Sequence, residues 1–206
     1  MKYKTVDNFL KLDHLNYLQT LIETLEPKSD YPTSFRSRKS YSDSENTISR
    51  EKLMELEETY IPRAMDILKF LAPHKLALVD NFSFNLQSTP PNFSYPVHLD
   101  ANEKVLSGVV YLKPNRSTGT FLHKSLNDVS GEEIPWAVNR AMFFSRNPSD
   151  SWHSYRGDGV GFRWVLVFNL LTSKMRKHEI KDLGFIKYYQ GRISKQKGLG
   201  VEKYKE

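Results

Sequence analysis

The order of hydrophobic patterns along this chain predicts an α+β fold, with helices laid against a β-sandwich or barrel. Apolar spacing of three and four residues is confined to the part before Pro73. After Pro73, alternation with β-branched and aromatic residues takes over, and Gly, Pro, Asn and Asp mark the breaks. With 206 residues, 39% hydrophobic and 13% aromatic, the chain is long enough to bury a substantial core as a single domain, 1–206.

Phe9, Leu10, Leu12, Leu15, Leu18, Leu21, Ile22 and Leu25 form one amphipathic stripe, which Pro27 ends. Residues 27–49 are rich in Ser, Thr, Asp, Arg and Tyr and read as a long loop. Its Tyr31, Phe35, Arg36, Arg38 and Tyr41 suit either a mobile connection or a lid over substrate. A second helix is predicted over 49–71, with Ser49 as N-cap, Leu53, Leu56, Ile61, Ala64, Met65, Ile67 and Leu68 as its apolar stripe, and Pro62 splitting or kinking it. Residues 1–75 are thus helical support. Strands are predicted near 76–87, 94–100, 105–113, 119–123, 138–145, 151–156 and 162–171, inside a core segment 76–172. From Lys174 onward ten basic residues outweigh four acidic ones, which equals the formal charge of +6 for the whole chain. A charge-neutral body with a basic appendage, 173–206, reads as a solvated extension and makes nucleic acid an improbable partner.

Cysteine is absent, so neither a disulfide framework nor a thiolate metal site is available, and any metal must be held by His, Asp or Glu. No stretch approaches the roughly 20 apolar residues of a membrane helix, and the first residues lack the apolar core of a signal peptide. A soluble, cytoplasmic protein is expected.

The chemistry concentrates at Tyr95-Pro96-Val97-His98-Leu99-Asp100. In an extended segment, residues two apart project to the same side, so His98 and Asp100 point together. An imidazole and a carboxylate are two parts of the facial triad that holds non-haem Fe(II) with coordination positions left open. The best third member is His153. Ten residues later Arg163 interrupts the apolar run 162–168, where a buried guanidinium needs an anionic partner. His14, His74, His123 and His178 lack partners at ligand spacing and read as packing or surface residues.

His98-x-Asp100, then His153, then Arg163, on short strands, resembles the Fe(II)- and 2-oxoglutarate-dependent dioxygenases, most closely their prolyl hydroxylase branch. Tyr95, the segment Val109-Val110-Tyr111-Leu112, and Met142-Phe143-Phe144-Ser145-Arg146-Asn147-Pro148 match that branch in type and order over about 76–172. The resemblance implies a double-stranded β-helix (jelly roll) with N-terminal helices packed on one sheet. It implies Fe(II) on His98, Asp100 and His153, with 2-oxoglutarate as cosubstrate, O2 as oxidant, and no catalytic residue beyond the metal ligands. Arg163 would hold the distal carboxylate of 2-oxoglutarate, with Tyr111 assisting. Many relatives carry Ser or Thr where this chain has Val165, which moves that task to Tyr111 or Thr120. Gln87 and Asn85 are candidates for the metal-binding end of the cosubstrate. Trp152, Tyr95 and Arg146 are candidates for the substrate side, and Arg156 a weaker one. The implied reaction couples decarboxylation of 2-oxoglutarate to succinate with hydroxylation of a peptidyl proline, a free amino acid or another small metabolite. A nucleic-acid dealkylase would carry a second Arg at the position of Asn169, and a non-catalytic cupin-like binding module would not need every ligand position filled.

Overall fold

The computed structural model describes residues 1–37 and 46–188. In chain order the elements are β1 (Tyr3–Val6), α1 (Leu12–Glu23), β2 (Thr33–Ser37), α2 (Arg50–Leu71), a 3-10 turn (Pro73–Leu78), β3 (Asn81–Thr89), β4 (Ser94–His98), β5 (Lys104–Lys113), β6 (Thr120–His123), β7 (Glu132–Ile134), β8 (Ala141–Phe144), β9 (Trp152–Arg156), β10 (Arg163–Leu171) and α3 (Met175–Leu183). Two antiparallel sheets form, a six-stranded one in the order β1-β8-β5-β10-β3-β2 and a four-stranded one in the order β4-β9-β6-β7. This is the double-stranded β-helix with helices against the larger sheet.

Period-two alternation makes that sheet two-sided. Leu166, Phe168 and Leu170 of β10, with Phe84 and Leu86 of β3, pack into one core with Leu15, Leu18 and Ile22 of α1 and Leu53, Leu56, Ala64 and Leu68 of α2. Their neighbours Arg163, Val165, Val167 and Asn169, with Gln87, face a cavity on the other side. Pairing of β10 between β3 and β5 fixes this orientation, because a slip of one residue would exchange the two faces.

Several elements depart from the expected ones. Ser49 does cap α2, its hydroxyl accepting from the Lys52 amide at 3.3 Å, and the helix continues unbroken through Pro62. A proline inside a helix costs about 3 kcal/mol, and burial of Leu56, Tyr60 and Ala64 on either side of it outweighs that. Helix α1 begins only at Leu12, and Phe9 and Leu10 fill the core ahead of it. The strand expected from 76 begins at Asn81, because Pro73 starts the 3-10 turn. The strand expected over 138–145 shortens to β8, and β7 was not expected. Two strands come from the supposed helical support: β1 pairs with β8, and β2 pairs with β3 inside the stretch read as a loop. There Phe35 stacks on Trp164 with ring centroids 5.5 Å apart, so residues 33–37 are sheet. Arg38 and Tyr41 lie outside the described residues, as does 189–206 of the extension. The start of that extension is integral to the fold, since α3 carries the buried His178. No helix among the described residues is long and apolar enough to cross a membrane.

Asn139 ties the N-terminal segment to the strands. It sits at φ 63°, accepts from the Leu10 amide at 2.8 Å and donates to the Leu10 carbonyl at 2.9 Å. Asn139→Ala strands both buried backbone groups and places an alanine in the left-handed region. It is expected to cost about 3 kcal/mol, read as a lower urea midpoint at unchanged m-value.

Candidate active site

In the β4–β9 pair His98 stands opposite His153, and their ring centroids are 4.3 Å apart. Directly opposed residues share a face of the sheet, which brings two imidazoles from distant sequence to one point. The strand ends at His98, and Asp100 follows outside the ladder. His98, Asp100 and His153 each offer a ligand atom, and these atoms lie within 4.8 Å of one another. Both rings are oriented by backbone: Nδ1 of His98 donates to the Pro96 carbonyl at 2.9 Å, and Nδ1 of His153 to the Ser151 carbonyl at 3.1 Å. A carbonyl only accepts, so the proton sits on Nδ1 and the Nε2 lone pair of each ring is left for a metal. Burial pushes the His153 imidazole down to about 4, against the opposing pull of the Asp100 charge, so it is neutral at neutral pH. Burial raises the Asp100 carboxyl, but Lys104, His153 and the bonds from Lys104 and Ser107 outweigh it and hold it below its ordinary value. Lys104 Nζ meets Oδ1 at 2.7 Å, and the Ser107 hydroxyl donates to Oδ2.

The three side chains line a cavity of about 200 Å³ that also holds Arg163. Arg163 is 6% exposed, Nη2 donates to Thr120 Oγ1 at 3.2 Å, and Nε has no partner. Its guanidinium lies over the Tyr155 ring at 4.2 Å, with Tyr111 and Trp136 at 5.4 and 5.6 Å. Among the described residues no carboxylate pairs with it. Burial pushes its pKa down, with the nearby tyrosines opposing. A buried cation without a counter-charge is costly, so this wall of the cavity is built to receive an anion. Thr120 Oγ1 accepts from both Arg163 and the Tyr111 hydroxyl, the latter at 3.1 Å, which leaves its own proton for an acceptor in the cavity. Two imidazoles with one carboxylate suit Fe(II), and a buried fork suits a carboxylate. The residues present therefore fit both groups.

The other expected residues divide. Gln87 and Tyr95 line the cavity and are joined by a bond from Gln87 Nε2 to the Tyr95 hydroxyl at 3.2 Å. Tyr111 stands behind Thr120, fully buried and stacked on Trp136 at 4.5 Å, and does not itself line the cavity. Asn85 shares the face of Gln87, opposite Val167, but is not part of the lining, and Trp152, next to the inward-facing His153, alternates to the opposite face. Arg146 is buried and bonded to backbone and side chains near Asp100, so it is no substrate contact. Arg156 is exposed, 6.0 Å from the Phe121 ring. Lys104, Ser107, Phe144 and Tyr155 line the cavity without having been expected there. Tyr155 was within reach of the alternation rule, being two residues after His153. The other cluster of ligand-type groups among the described residues, Asp13, His14 and Glu55, is bonded within itself and to α2, with His14 held by Tyr60 at 2.8 Å and by Glu55 at 2.7 Å.

Thr120→Val keeps shape and removes the hydroxyl. It is expected to raise the 2-oxoglutarate concentration for half-saturation about tenfold, about 1.4 kcal/mol, with Mn(II) affinity measured without cosubstrate unchanged.

No family model and no curated protein sequence matches the chain. Solved structures do. A prolyl-4-hydroxylase from Pseudomonas putida is 18% identical, with 82% of this chain and 92% of that one covered and a TM-score of 0.56. A prolyl hydroxylase from Trichoplax adhaerens, in complex with a hypoxia inducible factor oxygen degradation domain peptide fragment, is 14% identical, with 85% and 86% covered and a TM-score of 0.59. HygX from Streptomyces hygroscopicus with nickel and 2-oxoglutarate bound is 7% identical, with 84% and 83% covered and a TM-score of 0.53. The chain has the double-stranded β-helix fold of the 2-oxoglutarate- and Fe(II)-dependent oxygenases.

Proposed function

We propose that this chain is an Fe(II)- and 2-oxoglutarate-dependent hydroxylase. The observation that carries the reading is one cavity that holds the three ligand atoms together and, on its wall, a buried Arg163 with no carboxylate partner among the described residues. His98, Asp100 and His153 would hold the iron, Arg163 with Thr120 would hold the distal carboxylate of 2-oxoglutarate, and Gln87 with Tyr95 would line the remaining space. Iron so held, with O2 and 2-oxoglutarate, supplies the oxidation that inserts a hydroxyl group into a C–H bond while succinate and CO2 leave. The protein's own part is to orient the cosubstrate by a fixed two-pronged donor and to keep water from the reacting centre with the rings of Phe144 and Tyr155. No acid or base beyond the ligands is required.

We infer a substrate among prolyl peptides, free amino acids and similar small metabolites. Support for a peptide comes from the Trichoplax neighbour, which is in complex with one. Asn169 lines the cavity where a nucleic-acid dealkylase would carry its second arginine, which argues against that class. The test is succinate release from 2-oxoglutarate, with Fe(II) and ascorbate, across prolyl peptides, free amino acids and oligonucleotides. Release with a peptide or amino acid above that of Asp100→Ala is the expected result. Release with oligonucleotides alone would move the assignment to dealkylation, and no release from any mixture would overturn it.

A further inference from the structure

His98 and His153 are fixed by a strand ladder, but Asp100 lies in the turn between β4 and β5, where the sheet does not hold it. Lys104 and Ser107 bond its carboxylate, and its backbone is held by Arg146, a side chain 6% exposed. Its Nε donates to the Asp100 carbonyl at 2.9 Å, and its Nη2 donates to the Asn102 side-chain oxygen. One planar fork thus grips both ends of the 100–102 segment. Helix α3 grips the same segment: Glu179 accepts from Asn102 Nδ2 at 2.6 Å, and Nδ1 of His178 donates to the Asn102 carbonyl at 2.9 Å.

Arg146 is itself paired by charge, not by a hydrogen bond, with a buried carboxylate. Asp182 of α3, 2% exposed at its side chain, has Oδ2 3.9 Å from Arg146 Nη1 and 3.4 Å from His178 Nε2. Lys75, equally buried, pairs with Oδ1 of Asp182 and donates to the Arg146 carbonyl. Two cations that would be costly to bury alone share one carboxylate, and the guanidinium is left with two of its nitrogens aimed at the turn that carries Asp100.

We propose that Arg146 is a positioning residue for the metal site, and that through Asp182, Lys75 and His178 it makes α3 part of that site. The inference rests on the proposed metal-binding role of His98, Asp100 and His153. Arg146 touches no ligand atom of the three; it fixes the backbone from which the Asp100 carboxylate reaches Lys104 and Ser107. Groups that orient a metal ligand from behind change affinity by about 10- to 100-fold when removed.

The experiment is Mn(II) titration of the full chain, followed by electron paramagnetic resonance, for the wild type, Arg146→Lys, Arg146→Met and Leu56→Ala. Arg146→Lys keeps the charge beside Asp182 but cannot reach both acceptors. Leu56→Ala loses thermal stability in the α2 core, remote from the cavity lining, and serves as the control for a purely structural effect. The expected result is Mn(II) binding at one site in the wild type, about tenfold weaker in Arg146→Lys, about 100-fold weaker in Arg146→Met, and unchanged in Leu56→Ala at comparable loss of Tm. Should Arg146→Met not fold, Asn102→Ala takes its place, with an expected loss of about tenfold. Wild-type affinity in the Arg146 variants, or the same weakening in Leu56→Ala, would overturn the positioning role and leave the metal reading standing. No binding by the wild type would overturn both.

Discussion

Alanine in place of His153 is expected to weaken divalent metal binding by at least about a thousandfold, or about 4 kcal/mol, and to abolish succinate release. Two ligands remain, and neither can close a facial set. The folded apo protein should survive, and its pH dependence gives an independent readout. The His153 imidazole sits at about 4 in the folded chain against an ordinary 6.5. The unfolded chain therefore binds the proton more readily, so wild-type apo stability is unaffected above pH 6.5 and falls as the pH drops from there toward 4, by up to about 3 kcal/mol. His153→Ala should lose that component of the slope. Urea unfolding at several pH values checks it, and an identical profile in the variant would show the imidazole to be unperturbed.

Arg163→Met is expected to act in two opposite directions. The 2-oxoglutarate requirement should rise roughly a hundredfold, about 3 kcal/mol for the lost charged fork, with Mn(II) affinity in the absence of cosubstrate unchanged. At the same time the apo protein should become more stable, by about 1 to 4 kcal/mol, because an apolar side chain of similar length replaces a buried cation that has no carboxylate beside it among the described residues. A rise in Tm with a loss of cosubstrate binding marks a residue kept for its ligand rather than for the fold. A lower Tm with unchanged 2-oxoglutarate affinity would assign Arg163 to packing instead.

Signals carried by local periodicity were readable from the chain alone. The apolar stripes of α1 and α2, and the alternation of β10 with Arg163 set into it, each need only neighbouring residues to recognise. His98 and Asp100 were paired by the two-residue rule, although the strand ends at His98 and a turn braced by Arg146 completes the approach. What was not legible depends on partners far along the chain. β1 and β2 are short, polar edge strands, and only β8 and β3 make them strands. Arg146 looked like a solvated or substrate-facing arginine because Asp182 and Asn102, its partners, lie far from it in sequence. Trp152 and Tyr155 follow a different rule, since alternation from His153 sends the first away from the cavity and the second into it. Lys104 and Ser107 became visible only once the turn after β4 returned both to the Asp100 carboxylate.

The most direct measurement of the central claim is anaerobic addition of Fe(II) and then 2-oxoglutarate to the purified chain, followed by visible absorption. The account predicts a weak charge-transfer band that saturates at one Fe(II) per chain, disappears in Asp100→Ala and needs far more 2-oxoglutarate in Arg163→Met. A wild type that binds no iron, or that binds iron and develops no band with 2-oxoglutarate, would contradict it.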